Sequence, residues 1–248
     1  MKSYLKFLIL FCFIFFNVES LSSQSEVLKP SLYSKKFASK DILDSVYGIT
    51  AYNKLVKMIG GDSVRYFQPN KPAQDWVEDY YTSGKLLHKG YYIDGKLRVF
   101  KNFYENGAEE RSYKITGSKS SEMSVFYPDG KTKSFVEYIG EVVVKQLDYF
   151  SNGKLEYEEE SSKDGEIVWK KISYFQDGTV DNSLEVTDKK NKIFKQKEYY
   201  QGGKIKIDGE MKYNKALTDY VKEGIWNYYD ESGKLTRTEK YYKGHLED

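Results

Sequence analysis

From residue 76 onward, apolar and aromatic positions alternate with polar ones in short runs. Each run stops at a glycine, aspartate or asparagine. One unit recurs: two aromatics, two or three polar residues, a glycine and often a lysine. It reads Tyr80-Tyr81-Thr82-Ser83-Gly84-Lys85, then Phe103-Tyr104-Glu105-Asn106-Gly107, then Phe126-Tyr127-Pro128-Asp129-Gly130-Lys131. It returns around Gly153, Gly178, Gly203 and Gly233, so the glycines are spaced 23, 23, 23, 25, 25 and 30 residues apart. A fixed period of this size marks a repeat architecture.

A second series of turns falls between these: Asp94-Gly95, Thr116-Gly117, Ile139-Gly140, Asp164-Gly165 and Lys243-Gly244, with glycine-free turns at Asp188 to Asn191 and at Asn214. Asp-Gly and Asn-Gly between alternating segments signal type I′ hairpins, whose two central residues need positive φ. Each period therefore predicts two strands and two turns. The fold expected is all-β: an elongated antiparallel meander of about seven hairpin repeats, some 14 strands, over residues 76–248. Adjacent strand residues face opposite ways. One ring of each aromatic pair is thus expected to pack inward, stacking from hairpin to hairpin, and its neighbour to line the outer face.

Ahead of the repeats the pattern changes. Ile42, Val46, Ile49, Tyr52, Val56 and Ile59 follow a three-or-four spacing that predicts a helix, firmest over residues 49–59, with Ser39 or Asp41 as cap and Gly60-Gly61 as stop. Val64 to Phe67 reads as a short strand, and Pro69 and Pro72 break the chain before the repeats. Residues 23–75 are therefore a flexible lead followed by a helical cap for the first open edge. The charged tail from Lys240 to Asp248 is placed to blunt the last edge.

Residues 1–22 have the order of a secretory signal peptide. Lys2 precedes and Lys6 enters an apolar run from Leu5 to Phe16, broken only by Lys6, and Asn17, Glu19 and Ser20 follow. Val18-Glu19-Ser20 and Leu21-Ser22-Ser23 are the cleavage candidates. The expected location is the periplasm, the outer surface or the medium. Cys12, the sole cysteine, lies in this run after Phe11, which does not suit lipid attachment. The mature chain would hold neither a disulfide nor a thiolate metal site.

Composition narrows the function. Aromatics make up 17% of the chain, against the pattern of disorder, while mean hydropathy is −0.68, as for strands with one wet face. Thirty-nine Lys and Arg against 37 Asp and Glu leave a net charge of +2, with no global drive toward nucleic acid or anionic membrane. Of the two histidines, His88 reads as a packed strand residue and His245 lies near the C-terminal end. The Asp-Gly units lack the dense acidic pattern of calcium repeats. The Glu156–Glu160 and Lys189–Lys197 charge runs read as solvated faces, and Gly202-Gly203-Lys204 lacks the strand–loop–helix setting of a phosphate loop. No catalytic, cofactor or metal residue is assigned. The candidate binding residues are the aromatics Trp76, Tyr81, Tyr92, Tyr104, Trp169, Trp226 and Tyr229.

Three stretches carry a resemblance: Gly224-Ile225-Trp226-Asn227-Tyr228-Tyr229 with Ser232-Gly233-Lys234-Leu235 and Tyr241-Tyr242-Lys243-Gly244; Val77 to Tyr81 with Gly84-Lys85-Leu86; and Lys89-Gly90-Tyr91-Tyr92 with Asp94-Gly95-Lys96. They resemble the MORN-repeat variant of bacterial YwqK-type proteins over residues 76–248. The stretches Ser120 to Gly140 and Glu166 to Leu184 keep the aromatic pair but lose the Gly-x-Trp lead. The resemblance implies a hairpin-repeat sheet and no enzyme activity. Its antitoxin label sits poorly with export. The function expected is non-catalytic binding of a protein partner in the cell envelope through a broad sheet face. Glycan binding through outward aromatics is the alternative, and antitoxin-like neutralisation a third reading.

Overall fold

The structure, a computed structural model, describes residues 34–43, 49, 64–68 and 70–247. The signal-peptide segment 1–22 and the helix expected over 49–59, Ile49 apart, lie outside the described residues. None of the described helices is long and apolar enough to cross a membrane.

The described chain is a β meander, as the pattern requires. After β1 (Lys36–Phe37), α1 (Ser39–Ile42), β2 (Tyr66–Gln68) and β3 (Lys71–Pro72) come the repeats. They supply β4 (Asp75–Tyr81), β5 (Leu86–Ile93), β6 (Lys96–Phe103), β7 (Glu109–Ile115), β8 (Ser120–Phe126), β9 (Thr132–Ile139) and β10 (Val142–Tyr149). The second half holds β11 (Leu155–Ser161), β12 (Val168–Tyr174), β13 (Val180–Asp188), β14 (Ile193–Tyr199), β15 (Ile205–Asn214), β16 (Asp219–Tyr229), β17 (Leu235–Tyr242) and β18 (His245–Leu246). β4 to β17 are the 14 strands expected, each antiparallel to the next in one open sheet.

The first edge is paired by a strand that the sequence reading did not place. β1, inside the presumed flexible lead, pairs parallel with β4, and the amides of Tyr80 and Thr82 donate to the carbonyls of Lys35 and Phe37. α1 has Ala38 at its N-cap with no side-chain cap; the Ser39 hydroxyl bonds Glu105 instead. At the other edge β18 pairs only with Tyr241 and Tyr242.

The repeat turns also differ from the reading. Gly84, Gly107, Gly130, Gly153, Gly178, Gly203 and Gly233 all have φ between 85° and 91°, but the residue before each has negative φ except at Gly203, where Gly202 is also positive. In the first six the second aromatic opens the turn. The Gly84 amide donates to the Tyr81 carbonyl and the Tyr81 amide to the Lys85 carbonyl, a pattern repeated down the chain. This is the three-residue loop with a left-handed glycine. Asp94-Gly95, with φ of 50° and 75°, is the type I′ turn expected.

Three clusters make the core, all on one face, here the inner face. Ile42, Ile49, Tyr81 and Leu87 form the first; Ala73, Val77, Tyr92, Leu97 and Phe100 the second. Arg65 ties the leading segment down by a buried pair of bonds to Asp79 at 2.7 and 3.0 Å. The third cluster, Ile167, Leu184, Phe194 and Tyr213, forms where the sheet coils on itself. There the Tyr220 hydroxyl of β16 donates to the Val168 carbonyl and accepts from its amide, both at 2.8 Å, spanning from β16 to β12. Between the clusters the sheet is a single layer, and every residue of β10 is only half-buried.

Candidate binding surfaces

Most of the candidate aromatics are structural. Tyr81, Tyr92 and Trp226 are 1%, 0% and 4% exposed, so they are not outward binding rings. Tyr81 and Tyr104 stand at the turns, where their hydroxyls donate to the carbonyls of Phe103 and Phe126 in the next repeat at 2.8 and 2.9 Å. Tyr127 and Tyr200 do the same to Tyr149 and Tyr229 at 2.7 and 2.9 Å. The link from hairpin to hairpin is thus a hydroxyl–carbonyl rail along one edge, where ring stacking was expected. Burial lifts the Tyr104 phenol to about 12, as a fixed donor in a poorly hydrated place requires.

Tyr92 lies over His88, whose Nδ1 meets Asn102 Oδ1 at 2.7 Å, so His88 is a packed strand residue. Trp226 lies flat on Gly209, where an added Cβ would stand 2.1 to 2.6 Å from the ring, and its indole N–H donates to the Glu210 carbonyl at 3.1 Å. Trp169 is half-buried and stacks on Phe194 at 6.2 Å. Tyr229 supplies a carbonyl to the rail. Trp76 alone of the seven is well exposed, 5.2 Å from Tyr91 with the Lys89 ammonium 5.5 Å from its ring.

The outer face carries no packed cluster among the described residues. Its charges are paired across strands: Lys89 with Glu78 at 3.0 Å, Lys101 with Glu109 at 2.7 Å, Lys114 with Glu122 and Lys170 with Glu158 at 2.9 Å, Lys195 with Asp208 at 2.7 Å. Among these rungs stand Val99, Phe135, Leu147 and Ile172; Ser112 and Ser124 lie between the strands of Val99 and Phe135, Glu158 lies between Leu147 and Ile172, and Ile172 is buried. Phe135 and Leu147 are directly opposed and half-buried. The Tyr174 hydroxyl donates to Glu158 at 2.6 Å, fixing both.

The inner face holds a feature that alternation did not reveal. The register slips once after each repeat turn, leaving Leu87, Glu110, Lys133, Glu156, Asp181, Lys206 and Thr236 as bulged residues. Each stands three places after its turn glycine, which was readable in the sequence. A bulge turns two consecutive side chains to one face. Leu87 and His88 are accordingly both buried, as are Glu110 and Arg111. Glu110 is fully enclosed, and burial pushes its carboxyl up against the opposing pull of Arg111 beside it at 3.3 Å.

Further along, the bulged pairs meet solvent. Lys133 with Ser134 and Glu156 with Tyr157 line a hollow of about 300 Å³ with Tyr127 and Asp148. Asp181 and Asn182 line a groove of about 490 Å³, with Leu184, Gln196 and Met211 as floor and Asp219 and Tyr220 as far wall.

No protein-family model matches the chain, and no curated protein matches it. Two solved structures of TarM are similar in part. One, of an S. aureus TarM mutant in complex with Fondaparinux, alpha-GlcNAc-glycerol and UDP, is 13% identical at a TM-score of 0.27, over 40% of this chain and 19% of that one. The other is 13% identical at a TM-score of 0.26, over 44% of this chain and 19% of that one. The chain spans about a fifth of the length of that protein, and a likeness of this degree carries no inference here.

Proposed function

We propose that this is an exported, non-catalytic protein of MORN-like repeats that binds a protein partner through its outer face. The observation that carries the reading is the make-up of that face. The half-buried Phe135–Leu147 pair, with the exposed Trp76 beside Tyr91 nearer the first edge, stands among Lys–carboxylate pairs already fixed within the chain. Protein interfaces combine an apolar, aromatic centre with a polar rim in this way. Paired charges on a rigid sheet give orientation with little loss of side-chain freedom on binding.

The test is capture from an envelope extract on the immobilised full chain, beside two variants. One carries Trp76→Ala and Leu147→Asp on the outer face; the other carries Asn182→Ala on the inner face. A protein recovered near one-to-one by the wild type and the inner-face variant, and lost with the outer-face variant, is the expected result. Equal recovery on all three, or no stoichiometric protein on any, refutes the assignment.

A further inference from the structure

We propose that the inner-face groove over β12 to β16 is a binding site for a neutral, linear saccharide. The site lies on the opposite face from the protein surface proposed above, so either can fail alone. Its polar groups are of the kinds that bond vicinal hydroxyls. Gln196 Nε2 donates to Asn182 Oδ1 at 2.7 Å, which positions both amides and leaves Asn182 Nδ2 to donate and Gln196 Oε1 to accept. The bulge delivers Asp181 beside them, 3.4 Å from the Ser173 hydroxyl, and Asp219 Oδ1 is fixed by the Tyr220 amide at 2.7 Å. Leu184 and Met211 supply an apolar floor for ring C–H groups.

Tyr220 completes the wall in a specific way. Its hydroxyl is consumed by the Val168 backbone, and its ring stands edge-on to Phe194 at 4.9 Å. The ring also packs against Tyr213 at 5.5 Å, so what Tyr220 offers a ligand is the part of its ring left at the groove, aromatic carbon without a free hydroxyl. Two carboxylates against the one cation Lys171 disfavour phosphates and acidic sugars. The size is that of a small-molecule site.

The groove is also not isolated. The hollow at Lys133, Ser134, Glu156 and Tyr157 lies on the same face, built by the same bulge in earlier repeats. Two strands per repeat advance the sheet by about 10 Å, close to the length of two linked hexopyranose rings. A chain seated in the groove is thus in step with the repeats.

The experiment titrates the full chain by calorimetry and amide chemical shifts. The probes are the di- and tetrasaccharides of β-linked glucose and of β-linked N-acetylglucosamine, and a galacturonate tetrasaccharide. At least one neutral tetrasaccharide is expected to saturate with a Kd of about 0.1 to 1 mM, as suits an open groove. It should bind more tightly than its disaccharide and than the galacturonate chain. Asn182→Ala with Gln196→Ala removes both members of one hydrogen bond, which leaves folding nearly neutral, and should weaken binding about tenfold. Tyr104→Phe, on the edge rail and outside the groove, should stay within about twofold. Failure of every neutral tetrasaccharide to saturate, tighter binding of the galacturonate chain, or unchanged affinity in the double variant overturns the proposal.

Discussion

The edge rail can be tested by removing one of its hydroxyls and adding another. In Tyr127→Phe the phenol that donates to the Tyr149 carbonyl at 2.7 Å is lost while the ring stays. A partly buried neutral hydrogen bond contributes about 0.5 to 1.5 kcal/mol net. For a chain of this size 1 kcal/mol corresponds to about 2 to 4 °C in Tm. The rail has natural gaps at Phe150 and Phe175, which open their turns just as Tyr104 does but carry no hydroxyl. Geometry says the gap at Phe150 can be filled. Asn106 Nδ2 donates to the Pro128 carbonyl at 3.1 Å, two residues beyond each partner of the Tyr104 bond, and Asn152 Nδ2 donates to the Gln176 carbonyl at 3.0 Å. The turn at Phe150 therefore sits on its neighbour with the offset that the Tyr104 turn has. Phe150→Tyr should place a hydroxyl on the Tyr174 carbonyl and raise stability by about 0.5 to 1 kcal/mol. Urea and thermal unfolding followed by circular dichroism would measure both. Opposite signs of similar size are expected. Tyr127→Phe at wild-type stability, together with a destabilising Phe150→Tyr, would refute the rail as a source of stability.

Two further predictions use the same unfolding assays. Gly209→Ala drives a methyl into the Trp226 ring and should cost about 1 to 3 kcal/mol as overpacking, with a changed near-UV signal. Gly153→Ala meets open space and should cost about 1 to 2 kcal/mol, from its left-handed φ of 86° alone; an unperturbed near-UV signal in Gly209→Ala would refute the contact. Glu110 is held above the usual carboxylate range by burial, so between its unfolded and folded values the native state binds more protons than the unfolded state. That interaction is complete below the unfolded pKa and is lost as pH rises through the folded one. Glu110→Gln should therefore gain over the wild type at pH 8 and lose that advantage near pH 4; an equal gap at both values would count against it.

What the sequence disclosed follows from the physics of the turn. A loop with one left-handed residue requires glycine at one place in every repeat, so Gly84 to Gly233 mark the period whatever the strands contain. Asparagine or aspartate before that glycine served two readings. In a type I′ turn it takes positive φ itself; here Asn106, Asp129, Asn152 and Asp177 keep negative φ and accept the amide two residues on. The face of each ring was not legible, because alternation counting assumes an unbroken ladder. A bulge after every repeat turn, with a second register shift in several repeats, moves the count by a residue each time, which is how Leu87 and His88 come to be buried side by side. Trp226 shows a second limit: its burial depends on Gly209 directly across the sheet, a pairing no local pattern announces.

The same bulge suggests how such a repeat acquires specificity. The rail uses backbone carbonyls, turn glycines and the aromatic that opens the turn. None of its bonds involves the side chain three residues after the glycine. That position is therefore free to change without disturbing the stack, and it does change: Leu87, Glu110, Lys133, Glu156, Asp181, Lys206, Thr236. Under the leading segment it fills the core with Leu87 and encloses Glu110. Where the inner face opens, it presents Lys133, Glu156 and then Asp181 at intervals of one repeat. A scaffold that fixes the main chain by one set of residues and aims another set at one face separates stability from recognition. Changes in ligand preference should then follow changes at the bulged positions, and changes in stability those along the rail.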